Sequence, residues 1–212
     1  MHDQVKLPVF NDIAAAADRI KGHAVRTPLL NSAYLDDITG CRVFLKPECL
    51  QRTGSFKFRG AFNTISSMTD DERKNGVVAV SSGNHAQGVA DAARVHGIPA
   101  TIIMPADAPQ TKIDRTKRLG AEVILYDRGN EDREAIAAEH CRRTGAAFIH
   151  PFNDPRVIAG QGTAGLEACQ DIVARAETLE EVLVPAGGGG LASGTALSVS
   201  HHFPGIAVHT CE

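Results

Sequence analysis

From Val77 onward, short apolar runs rich in β-branched residues alternate with stretches whose apolar positions recur at helical spacing. The pattern predicts strands over residues 77–80, 100–104, 121–125, 147–149, 181–185 and 206–210. Between them it predicts helices over 83–96, 110–119, 131–143, 157–173 and 191–202, with Gly97 and Gly120 as stops. Such alternation argues for an α/β fold with parallel sheet and helices on its faces. The strands are short continuous apolar runs, the form expected when both faces are covered. The first 75 residues differ: Asn11 reads as the cap of a helix through Ile20 closed by Gly22, residues 42–45 as a strand, and Ser55 as the cap of a helix to about Ser67. The chain stops at Glu212, soon after its last strand and with no following helix, and is expected to be cut short.

A length of 212 residues suits one large domain or two small ones, and 43% hydrophobic with 22% charged residues is ordinary for a soluble globular protein. A net charge of −3 with both signs interspersed gives no footprint for nucleic acid or an anionic membrane, and 5% aromatic content without Trp argues against base stacking. No apolar run approaches the roughly 20 residues of a membrane span. Residues 1–10 mix acid and base and do not match a signal peptide. Five scattered cysteines without a Cys-x-x-Cys pair suggest buried thiols in a reducing compartment, by default the cytoplasm.

Three segments carry candidate chemistry. Lys57 stands in the first turn of the helix that Ser55 caps, where the helix dipole and the flanking Phe56 and Phe58 disfavour its charge. Both effects favour the neutral amine that attacks a carbonyl carbon; the alternative is a surface lysine with its stem on an aromatic ring. Gly187, Gly188, Gly189 and Gly190 follow an apolar strand and open a helix at Leu191, so backbone N–H groups can converge on an anion; the alternative is a tight turn without a ligand. Ser81, Ser82, Gly83, Asn84 and His85 also link a strand to a helix, as a carboxylate-binding loop or as mere helix capping, with His85 a structural hydrogen bonder more than a base. A rival reading takes Gly187, Gly189 and Ala192 as a weak dinucleotide pattern with Glu212 as its acid, but leaves Lys57 and the Ser81 loop without a role. His201 and His202 read as complements to a helix end before a metal site, and residues 115–118 and 131–134 as solvated helix surface.

The ordered segments Ser55-Phe56-Lys57-x-Arg59-Gly60, Ser81-Ser82-Gly83-Asn84-His85-Ala86-Gln87-Gly88 and Gly187-Gly188-Gly189-Gly190-Leu191 resemble fold-type II pyridoxal-phosphate enzymes, above all the threonine/serine dehydratase and serine racemase group. The resemblance covers nearly the whole chain. It implies two parallel or mixed-sheet domains of the tryptophan-synthase-β-like type. The large one takes residues 1–75 and 151–212 and is incomplete at its C-terminus; residues 76–150 form an inserted small domain, and the active site lies between them. It implies that Lys57 holds pyridoxal phosphate covalently, that Phe56 lies against its ring, that Asn84 contacts the ring hydroxyl, and that Gly187 to Leu191 bind the phosphate. Ser81 to His85 would take the carboxylate of an amino-acid substrate, L-threonine or L-serine, which is dehydrated and deaminated to a 2-oxo acid and ammonia. Ser82 matches the serine of racemases where many dehydratases carry alanine, which implies a second acid–base group and serine or hydroxyaspartate racemisation as the alternative. Glu212 matches a ligand for a divalent cation, Mg or Ca. The full-length protein is expected to be a homo-oligomer. The family's later Gly-Gly-Asn segment is absent, so the chain as it stands is expected to be poorly active, or a remnant that binds ligand without turnover.

Overall fold

The computed structural model describes residues 7–212, so residues 1–6 of the amino-terminal stretch lie outside the described residues. Helix α1 spans Phe10–Ile20 and buries Ile13, Ala16 and Ile20. It starts ahead of the expected Asn11 cap because the Asp12 carboxylate accepts the Val9 N–H at 2.8 Å. A two-stranded antiparallel ladder follows, β1 (Leu30–Asn31) against β2 (Phe44–Leu45), so the strand expected over 42–45 is only two residues long. Between them α2 (Ala33–Thr39) was not anticipated: it is seven residues long and buries none of them, with Ser32 as its cap and the left-handed Gly40 as its stop. Helix α3 runs Lys57–Ser66, with the Ser55 hydroxyl accepting the Lys57 N–H at 3.1 Å, and α4 is the short Asp70–Arg73.

The alternating part forms as the pattern predicts. In order come β3 (Val77–Val80), α5 (Asn84–His96), β4 (Ala100–Pro105), α6 (Gln110–Arg118), β5 (Glu122–Tyr126), α7 (Arg133–Thr144) and β6 (Ala147–Phe148). The four strands make one parallel sheet in the order β5-β4-β3-β6. Helix α7 starts two residues later than expected because Asp132 caps it, accepting from the Glu134 and Ala135 N–H groups. Then follow α8 (Pro155–Ala174), β7 (Glu181–Pro185), α9 (Gly190–His202) and β8 (Ala207–Cys211), the last two strands pairing parallel.

Full coverage of both strand faces holds for β4 and nearly for β3, but not elsewhere. Edge strand β5 exposes Leu125, and β7 turns Val184 inward while Leu183 is 67% exposed, because α9 packs against one face of that pair. The cysteines also depart from expectation: Cys169 is buried, but Cys41, Cys49 and Cys211 lie at the surface, in the loop after α2, in a 3₁₀ turn and at the end of β8. Among the described residues no helix is long and apolar enough to cross a membrane.

One continuous apolar cluster joins Phe58, Phe62 and Ile65 of α3 to Val89 of α5, Ile102 and Met104 of β4, and Val157 of α8. Beside it lies a charge quartet built round a buried arginine, its other three members partly exposed. Arg59 is fully buried and donates to Glu48 (2.8 and 2.9 Å), Glu167 (2.7 and 2.9 Å), Thr163 Oγ1 (3.2 Å) and Val25 O (3.2 Å). Lys46 Nζ donates to Glu167 at 2.6 Å and to Thr27 O at 2.7 Å, so two cations meet two carboxylates. The helices beside the quartet touch backbone to backbone: a Cβ on Gly160 would lie 2.6 Å from Arg59 O, and one on Gly194 2.5 Å from Ile158 O.

Removing one member of a buried ion network strands its partners without solvent. Arg59→Leu is therefore expected to destabilise the chain by about 3–5 kcal/mol, read as a lower urea midpoint; parental stability would show that the quartet does not hold the fold.

Candidate active site

Lys57 opens α3, two residues ahead of Arg59, and is half-buried. Burial lowers its amine below the ordinary lysine value, although the Phe56 ring, 5.3 Å from Nζ, favours the cation in part. Nζ donates to the Pro151 carbonyl at 2.7 Å. Pro151 belongs to the turn between β6 and α8, which the sequence reading assigned no role. His150 shapes that turn: its Nδ1 accepts the Phe152 N–H at 3.2 Å and the Asn153 N–H at 2.8 Å.

The next residue, Phe152, meets the glycine loop. A Cβ on Gly188 would lie 2.2 Å from the Phe152 ring, and one on Gly190 would lie 3.0 Å from its carbonyl oxygen. Gly187 and Gly189 face open space, and Gly189, at φ +82°, stands as the cap position of α9 without any side-chain acceptor. Among the described residues, the N–H groups of Gly187 to Ala192 donate to no protein acceptor. That leaves a row of amide donors at the positive end of a helix, with no side chain intruding from the loop. Lys57 and this row thus share one wall, the Pro151–Phe152 step.

The Ser81 loop meets the same turn two residues before Pro151, at Ile149. Helix α5 starts behind Gly83 with no side-chain cap, and the Ser81 hydroxyl accepts the Gly83 N–H at 3.1 Å. Ser82 and Asn84 make no side-chain hydrogen bond among the described residues, and Asn84 is exposed beside a cleft of about 580 Å³ that Gln87 and Arg94 also line. His85 is buried, and its Nε2 lies 3.0 Å from Ile149 O. Burial pushes its imidazole down to about 4, and the nearby Lys57 and His150 act in the same direction. Elsewhere, Ser32, Thr69, Asp132 and Asp154 accept the first N–H groups of their helices. Among the described residues, α5 and α9 lack that service, as do α1 behind Val9 and α6 behind Pro109.

The structure therefore brings together Lys57, the Ser81 loop and the glycine loop. Phe58, read as a flank of the amine, is instead fully buried in the core. Glu212 lies exposed beyond β8, and among the described residues no group of three or more His, Cys, Asp or Glu gathers to hold a metal ion. His201 stacks on Phe10 at 3.5 Å between ring centroids. Sequence reading missed Pro151 and Phe152; the one local signal was a histidine-proline-aromatic run just after a strand.

The family model described as pyridoxal-phosphate dependent enzyme matches residues 20–212. The chain is 50% identical over 199 residues to the L-threonine ammonia-lyase of Thermotoga maritima, covering 94% of this chain and 49% of that protein. It is 45% identical over 212 residues to the serine racemase of Schizosaccharomyces pombe, covering 100% of this chain and 64% of that one. The solved structure of maize serine racemase superposes with a TM-score of 0.93 at 39% identity, over 98% of this chain and 62% of that chain. The chain thus spans about half to two thirds of the length of these relatives.

Replacing Gly188 by alanine is expected to push the glycine loop off Phe152. In the variant, affinity for inorganic phosphate or a phosphate ester, measured by calorimetry, should fall at least tenfold; unchanged affinity would show that the loop is not the anion cradle.

Proposed function

The chain belongs to the pyridoxal-phosphate dependent enzymes, and we propose that its site dehydrates and deaminates a hydroxy amino acid, L-threonine or L-serine, to a 2-oxo acid and ammonia. The observation that carries this reading is the shared wall: a desolvated amine on Pro151 O, and uncapped amide donors packed on the adjoining Phe152. An amine of lowered pKa suits covalent attachment of an aldehyde, and a side-chain-free row of N–H groups suits its phosphate, so the residues present fit the cofactor. When bound, the cofactor supplies an electron sink for the bond broken at Cα.

Each residue then has a stated task. Lys57 would hold the aldehyde, and its free amine would take the Cα proton of the substrate. Its burial keeps a larger share of the amine unprotonated, the form that both tasks need. Gly187, Gly188, Gly189, Gly190 and Leu191 would hold the phosphate, Phe56 would lie against the ring, and Asn84 would contact the ring hydroxyl. The Ser81 to His85 loop takes the substrate carboxylate on its N–H groups. The substrate loses its Cα proton to Lys57 and its β-hydroxyl as water, and hydrolysis of the product releases ammonia.

A second reading, racemisation of serine or hydroxyaspartate, draws on Ser82: its hydroxyl makes no hydrogen bond among the described residues, and the similar protein from Schizosaccharomyces pombe is a serine racemase. The remaining assignments belong to the same proposal: residues 76–150 as an inserted small domain, Glu212 as a ligand of Mg or Ca, a homo-oligomer, and the cytoplasm as its compartment.

Borohydride reduction of the chain with pyridoxal phosphate, followed by peptide mass mapping, should give a pyridoxyl adduct confined to Lys57. Adducts scattered over surface lysines with Lys57 unmodified would remove the reading. In the active protein, Ser82→Ala should depress racemisation more than elimination; equal losses would deny Ser82 a role as second acid–base group.

A further inference from the structure

His85 is a buried titratable group that the proposed chemistry leaves unused. It sits in the first turn of α5, 4% exposed, with Nε2 at 3.0 Å from Ile149 O and, among the described residues, with no partner for Nδ1. A carbonyl oxygen only accepts, so Nε2 carries the proton and Nδ1 the lone pair. Ile149 is itself fixed, fully buried and donating its N–H to Val78 O at 2.8 Å. One residue beyond His150 stands Pro151, which takes the Lys57 amine, and then Phe152, which the glycine loop covers. Among the described residues, the His85 bond is the one side-chain hydrogen bond between residues 81–88 and 147–154. One turn along α5, Gly88 lies against Lys57, where a Cβ would come within 3.0 Å of the Lys57 carbonyl carbon.

We propose that His85 is a positioning residue for the cofactor site, pinning the Ser81 loop to the Ile149–Phe152 turn and so setting the Lys57 amine against the glycine loop. The proposal rests on the pyridoxal-phosphate reading of the site. A neutral ring suits the task, because an imidazolium would place a second cation beside Lys57 and His150. Burial keeps the ring neutral, at about 4, across the working range of such an amine. The pin acts through geometry: the imidazole itself, unlike the backbone of its loop, touches neither the aldehyde nor the substrate.

The test compares the parent chain with His85→Phe, which fills the space but cannot donate, and with His85→Gln, whose amide reaches the same carbonyl. Each is titrated with pyridoxal phosphate, reduced with borohydride and mapped, with circular dichroism as the check of fold. The phenylalanine variant should bind at least tenfold more weakly and lose most of the Lys57 adduct, while glutamine should restore affinity to within about threefold. Rescue by glutamine is the outcome that simple space-filling does not give. A folded His85→Phe chain with parental affinity and adduct overturns the proposal alone; a parent chain without a Lys57 adduct removes the underlying reading and the proposal with it. Should His85→Phe fail to fold, nitrogen NMR of the parent decides. Protonated Nε2 and bare Nδ1 from about pH 5 to about pH 8 support the pin, and titration near the ordinary imidazole value overturns it.

Discussion

The burial of Arg59 constrains everything else in the molecule. A guanidinium without solvent must find acceptors for all its donors, and it finds them on Glu48, Glu167, Thr163 and Val25. Those partners belong to a 3₁₀ turn, to α8 and to the strand-free segment after α1. One side chain on α3 therefore fixes the rotation and height of that helix against three other parts of the chain. Lys57, two positions earlier, inherits the placement.

Close helix packing extends that constraint to the glycine loop. Gly160 lets α8 rest on the α3 backbone, and Gly194 lets α9 rest on α8. The start of α9 is thereby carried to Phe152, and Phe152 to the Pro151 carbonyl that holds the Lys57 amine. Rigid contacts of this kind hold the Lys57 amine and the N–H groups of the glycine loop at a fixed separation.

Electrostatics completes the division of labour. Helices α2, α4, α7 and α8 have a side chain of their own to accept the first N–H groups, whereas α5 and α9 arrive at the site with donors unspent. A chain rarely leaves such groups unserved unless a ligand or water takes them. Beside them the amine of Lys57 is weakened as a base by burial, and His85 is held neutral. The site thus sets unspent amide donors beside a half-buried amine, at the meeting point of elements far apart in the sequence.

The alternation of strand and helix from Val77 to Thr210 was legible to within two residues at most boundaries, because side-chain period and capping chemistry are local properties. The lysine, serine-loop and glycine-loop segments were legible too, since unusual residue types mark them. What the sequence left open was pairing. Glu48 and Glu167 lie 11 and 108 positions from Arg59, and nothing in their neighbourhood distinguishes them from surface acids. Pro151 acts through a backbone carbonyl, a group that every residue carries, and His85 finds its partner 64 positions away. The sequence by itself determined the elements and the segments that carry the candidate chemistry; only the tertiary structure decided which of them meet, because burial and long-range hydrogen bonding depend on how helices pack and not on any local pattern.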